Sequence, residues 1–188
     1  DRVGFCFGGV PKEGALHQSL RNGEANFLRS EEFEGTDCMM IDLSEGYEAW
    51  LARRSKKFRK SVRQMRIGEG IEIVDASNEE PDALFAEGTD IFLGNEYRPF
   101  YRRLLERLHA NGDLRLLFVQ REGEDLAYIF GGVQGTTYRG FQMGFIESER
   151  KAGLGVFLQH ENLKARAAEG IKTYDLGMYA EYKERWAD

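Results

Sequence analysis

Cysteine is nearly absent from this sequence. Cys6 and Cys38 are the two in 188 residues, far apart, with no CxxC and no neighbouring histidine. That excludes a disulfide framework and a thiolate zinc site, and makes a reducing cytoplasm the expected compartment. Histidine is as scarce: His17, His109 and His160 are scattered without ligand spacing, so no metal is expected. No apolar run approaches the roughly 20 residues of a membrane span, and no signal peptide is visible, so no transmembrane segment is expected. Hydrophobic residues at 41% and charged residues at 31% fit a folded globular chain. The length suits one domain, or one domain and part of another.

Acid is missing from one place where base is concentrated. Arg53 to Arg66 reads RRSKKFRKSVRQMR, which takes eight of the 26 basic residues and leaves 18 against 32 acidic ones elsewhere. The net charge of −6 therefore hides one anion-facing element on an acidic body. Phe58, Val62 and Met65 recur at helical spacing through this stretch, which predicts one amphipathic helix. Its cations, with Lys57, Lys60 and Arg63 turned toward a cleft, could bind an anionic acceptor such as a nucleotide-linked sugar, a tRNA or a glycan or lipid precursor. Alternatively they are a solvated face.

Along the chain, residues 1–36 give a weak pattern. Cys38 to Leu43 is a strand candidate, with Ser44 after it placed to cap a helix. Gly68 and Gly70 end the basic helix, and Ile71 to Val74 is strand-like. Residues 81–93 and 99–110 have helical character, the second opening at Pro99 and stopping near Gly112. The period then changes. Leu114–Gln120, Leu126–Gln134 and Thr137–Glu147 are three strands joined by REGED and GT turns, an antiparallel meander. A helix from Leu154 to about Glu169 and a strand at Ile171–Leu176 follow, with the last strand expected beside and parallel to Thr137–Glu147. This is an α+β arrangement and not a Rossmann unit.

Between meander and helix stands ERKAGLGVFL, Glu149 to Leu158. Backbone amides from Arg150 to Val156 could cradle a pyrophosphate at the helix N-terminus, with glycines letting the ligand approach. On spacing alone, a plain flexible turn is the favoured reading. Arg150-x-x-Gly153-x-Gly155 in this context resembles the acetyl-CoA pyrophosphate loop of the GNAT acyltransferases. WLARRSKKFRKSVRQMR, GDLRLLFVQREGEDLAYIFGGV and YDLGMYAEYKERWAD together resemble the FemAB-like, CelD/BioF2-like branch of that superfamily, over Cys38 to Asp188. Many members have a second glycine and a longer spacing to the Tyr/Phe-Lys pair, where here Met178 to Glu181 intervene.

The resemblance implies a GNAT-like fold, a mixed central sheet with its meander flanked by helices. It also implies acetyl-CoA or another acyl-CoA as cosubstrate, held by Arg150, Lys151, Ala152, Gly153, Leu154, Gly155 and Val156. Glu147, then Glu149, is the implied general base. Tyr182 is the implied proton donor, and Lys183 the implied cation for the oxyanion or for a substrate phosphate. Tandem relatives suggest residues 1–43 as the end of a preceding half or an N-terminal extension, 44–70 as a basic linking helix and 71–188 as an acyltransferase domain. The missing initial methionine, and the lack of readable strands after Leu176, are expected to reflect truncation at one or both ends. Three functions remain: an acyl-CoA-dependent N-acyltransferase acting on an amine in cell-envelope or polysaccharide biosynthesis, a Fem-like aminoacyl-tRNA-dependent aminoacyltransferase of peptidoglycan bridges, and a non-catalytic module that binds an anionic polymer.

Overall fold

The computed structural model describes Gln18 and residues 38–63, 65, 69–80, 98–146 and 153–188. The chain runs through β1 (Cys38–Asp42), α1 (Tyr47–Arg53), α2 (Lys56–Arg63), β2 (Ile71–Asp75) and α3 (Arg98–Ala110). It continues through β3 (Leu114–Arg121), β4 (Glu124–Gln134), β5 (Thr137–Phe145), α4 (Leu154–Ala168) and β6 (Thr173–Met178), then a 3-10 turn at Glu181–Lys183. The expected helix over 81–93 lies outside the described residues.

The meander forms because its strands are apolar on both sides. Leu114, Leu116 and Phe118 of β3 join Tyr128 and Phe130 of β4 under Leu105 of α3. Their alternates, Leu117, Val119, Ala127 and Ile129, pack on Leu154 and Leu158 of α4. Residues of opposite parity thus serve opposite faces, and the sheet is sandwiched between α3 and α4. Six strands lie in the order β1-β6-β5-β4-β3-β2. The crossover through α4 sets β6 parallel to β5, as the sequence suggested, while the other neighbours are antiparallel. β1, from upstream in the chain, pairs along the outer edge of β6.

Two local expectations need correction. Ser44 does not cap a helix: its amide donates to Asp42 Oδ1 at 2.9 Å, and α1 begins three residues later behind Gly46. The short Asp–Ser turn offered the chain a better local bond than a cap. The basic stretch is also two helices, not one. Arg54 is extended, and the amide of Phe58 donates to Ser55 Oγ at 3.2 Å, so the serine restarts the helix as α2.

The break lets α1 and α2 fold around a shared aromatic cluster. Trp50 lies parallel to Trp186 with centroids 6.1 Å apart, and Phe58 meets Trp186 edge-on at 5.1 Å. Ile41, Val62, Tyr138, Leu163, Ile171 and Tyr174 complete this core, and Met65 is half-buried. Trp50 Nε1 also donates to the carbonyl of Trp186 at 3.1 Å. Trp186 is therefore a core residue. Trp186→Ala is expected to cost about 3–5 kcal/mol of unfolding free energy, the range for emptying a large aromatic site, measured by urea denaturation; a loss below about 1 kcal/mol would show that the cluster is not held by this ring.

Candidate active site

β5 and β6 pair over only three residues, Thr137–Arg139 against Thr173–Asp175. Beyond them β5 runs on to Phe145 and β6 to Met178 without pairing to each other. A bulge helps part them. In the β4–β5 ladder Phe130 faces Gln142 and Gly131 faces Gly140, which leaves Phe141 as the extra residue and bends β5. The result is a wedge with its vertex at Arg139 and Asp175.

The vertex is tied by an ion pair between Arg139 and Asp175, whose side chains are 31% and 15% exposed. Asp175 Oδ1 also accepts the amide of Gly177 at 2.7 Å, and Arg139 Nη1 donates to Cys38 Sγ at 3.5 Å. Behind the vertex Tyr138 and Tyr174 stand at paired register with rings 4.5 Å apart. Asn162 Nδ2 of α4 donates to their hydroxyls at 3.1 and 2.6 Å, and Gln159 Nε2 donates to Tyr174 at 2.9 Å. Burial pushes Tyr138 up to about 12 and Tyr174 well above the ordinary phenol value. Both are therefore neutral anchors for α4 at physiological pH.

The first turn of α4 lies beside the unpaired part of β5. A Cβ on Gly155 would stand 3.4 Å from the Met143 methyl carbon and 3.7 Å from the Phe145 ring. Gly153 precedes the helix with φ 73° and no side-chain cap, and a Cβ there would meet nothing within 4 Å. Among the described residues, the amides of Leu154, Gly155 and Val156 have no acceptor. Such amides at a helix start, with open space before them, fit a phosphate. Arg150, Lys151 and Ala152 lie outside the described residues, as do Glu147 and Glu149.

Tyr182 and Lys183 sit on the 3-10 turn beyond β6. Tyr182 is 58% exposed, and Lys183 Nζ lies 5.7 Å over its ring. Lys183 Nζ donates to the Met178 carbonyl at 2.8 Å, which turns it toward Gly177. Burial first, and Arg139 next, hold its ammonium below the ordinary lysine value, while Asp175 pulls the other way. Lys57, Lys60 and Arg63 are exposed on α2, and Arg63 lines a groove with Glu48, Leu51, Ala52 and Arg59. Three other cations of that stretch serve structure instead. Arg53 and Arg54 pair with Asp188, and Arg59 donates to the carbonyls of Ala52 and Arg54 at 2.8 and 2.7 Å.

Sequence reasoning missed Arg139 and Asp175. The available signals were a lone charge inside the apolar strand TYRGFQMGF and the acid of the YDLG run. Among the described residues no cluster of three or more His, Cys, Asp and Glu could hold a metal ion. Among them, too, no helix is long and apolar enough to cross a membrane.

The chain belongs to the acetyltransferase (GNAT) domain family, whose sequence model matches residues 47–184. Its fold is similar to that of the protein in a crystal structure of FemX, with TM-score 0.61, 15% identity, and 86% of this chain against 60% of that one. It is also similar to a C-terminal DUF2156 domain from Agrobacterium fabrum (TM-score 0.51, 15% identity, 86% of this chain, 51% of that chain). A conserved protein of unknown function from Bacteroides thetaiotaomicron gives TM-score 0.50 at 16% identity, over 87% of this chain and 58% of that one. The chain thus spans half to three-fifths of these structures. No curated protein matches it in sequence.

The Arg139–Lys183 neighbourhood can be read by titration. Lys183 followed by carbon-13 NMR is expected to titrate below an ordinary lysine, and Arg139→Gln is expected to raise its value by removing a like charge. An unmoved Lys183 in that variant would break the link between the two cations.

Proposed function

We propose that this chain carries the acyl-transfer centre of an acyl-CoA-dependent N-acyltransferase, which moves an acyl group to an amine acceptor in cell-envelope or polysaccharide biosynthesis. The observation that carries this reading is the uncapped start of α4 beside the unpaired segment of β5. There the amides of Leu154, Gly155 and Val156 would hold the CoA pyrophosphate, with Arg150 and Lys151 adding charge and Gly153 keeping the approach clear. The pathway rests on the FemAB-like resemblance of the sequence.

Acyl transfer needs the acceptor amine neutral, its proton removed as it attacks the thioester carbonyl, and the oxyanion stabilised until the thiolate leaves. Glu147, or Glu149, is the proposed base and follows β5 directly in sequence. Lys183 is the proposed cation for the oxyanion, and Tyr182 beside it the proposed proton donor to the departing thiolate. A cationic role has a definite pH signature. The rate should fall as pH rises through the lowered Lys183 value, because the ammonium is then lost. Lys183→Met should slow turnover by about 10²-fold or more, the scale for one oxyanion donor, and abolish that alkaline limb. An unchanged limb would place the role elsewhere.

A second reading, transfer from aminoacyl-tRNA, is favoured by one feature: Lys57, Lys60 and Arg63 stand exposed on α2. Calorimetry of the whole protein separates the two. Acetyl-CoA is expected to bind; binding of aminoacyl-tRNA alone would favour the second reading, and binding of neither would leave a non-catalytic module. Gly153→Val localises the cofactor. It should weaken CoA binding at least about tenfold, while Gly170→Val, with similar left-handed strain of about 1–2 kcal/mol at the other end of α4, should leave affinity alone. Equal affinities in both variants would remove the α4 N-terminus from the site.

A further inference from the structure

The vertex of the wedge holds two cations that converge on one small space. Gly177 has φ 85°, and a Cβ placed on it would lie 3.5 Å from Arg139 Nη2 and 3.7 Å from Lys183 Nζ. The absent side chain leaves that space open between the two nitrogens. Arg139 spends Nη1 on Asp175 and Cys38, and its Nη2 has no acceptor among the described residues. Lys183 spends one proton on the Met178 carbonyl and keeps two. Asp175 is used at both oxygens, by Arg139 and by the amide of Gly177. One carboxylate, engaged at both oxygens, therefore faces two cations with spare donors. A planar guanidinium and an ammonium arranged this way suit an oxyanion.

We propose that Arg139, one of the two spare Lys183 protons and the open face of Gly177 form a subsite for a carboxylate or phosphate carried by the acyl acceptor. The other spare proton remains for the oxyanion of transfer. The donor's phosphates are assigned elsewhere. The start of α4 lies beside Met143 and Phe145, four and six residues along β5 from Arg139, or roughly 13–20 Å at strand rise. An acceptor pinned at the vertex would project its amine into the wedge, where the two reactants must come within about 3–3.5 Å. The lowered lysine value agrees: burial first, and Arg139 next, disfavour the ammonium, and a bound oxyanion would offset both. The acceptor's part in this inference rests on the acyl-transfer reading; the subsite itself does not.

The test is a proton–nitrogen NMR titration of the whole protein with inorganic phosphate and, separately, with acetate, following the Gly177 amide. A saturable shift of that amide with at least one of the two anions is expected, and the more effective anion identifies the acceptor's group. Arg139→Gln should weaken that binding at least about tenfold, the scale for losing a charge-assisted hydrogen bond. Lys183→Met, which leaves the Arg139–Asp175 pair in place, should do the same and covers the case in which Arg139→Gln unfolds the protein. Replacing Lys57, Lys60 and Arg63 together with glutamine should leave the shift intact. A Gly177 amide unmoved by both anions, unchanged affinity in Lys183→Met, or loss of the shift in the triple variant would overturn the subsite. CoA binding is measured independently, so failure of the acyl-transfer reading would show separately.

Discussion

The ion pair between Arg139 and Asp175 closes the last of the three residue pairs that join β5 to β6, and the open end of the molecule depends on the pairing stopping there. A parallel pair that continued would fill the gap with ladder hydrogen bonds and leave no room between the strands. The bulge at Phe141 turns β5 away, while the Tyr138–Asn162–Tyr174 bonds hold α4 across the vertex. Tight pairing on one side and abrupt separation on the other place the start of α4 beside the stretch of β5 that no longer pairs with β6. The same ion pair fixes Gly177 through Asp175 and brings a guanidinium near Lys183. One contact thus links the fold's geometry to the electrostatics of the cleft.

Charge in this chain is divided by task more finely than its net value suggests. The basic stretch looked like a single anion-facing surface, yet Arg53, Arg54 and Arg59 are bound to Asp188 and to backbone carbonyls. Arg53 and Arg54 anchor the last residues of the chain against α1, beside the Trp50–Trp186 stack, and Arg59 ties α2 back to the end of α1. Exposed ion pairs contribute little each, but Arg54 is 11% exposed and also donates to the carbonyls of Trp186 and Ala187. What remains for a ligand is the outward row of Lys57, Lys60 and Arg63.

The meander, α3, α4 and the parallel return strand were legible because local signals agreed. Apolar residues on both strand faces, turn glycines and a helix-length crossover all favoured the same arrangement. The pairing of β1 with β6 was not legible, since it joins residues some 130 apart and leaves no mark in any window of sequence. The split of the basic helix turned on one serine and one extended arginine, Ser55 and Arg54, which periodicity alone passes over. The glycine turn was visible as a motif, and its open approach at Gly153 agrees with a cradle. Lys183 was visible through the Tyr-Lys pair, but its partners Arg139 and Asp175 were hidden, because they come from two strands that meet only in the fold. In sequence each of those two looked like an isolated charge on a half-buried element.

The central claim is that donor and acceptor meet in the wedge between β5 and β6. A crystal structure of the whole protein with bound CoA tests it most directly. The account predicts the pyrophosphate on the amides of Leu154, Gly155 and Val156, with the thiol end entering between β5 and β6 toward Gly177 and Lys183. CoA lying along α2, or anywhere that leaves the wedge empty, would contradict it.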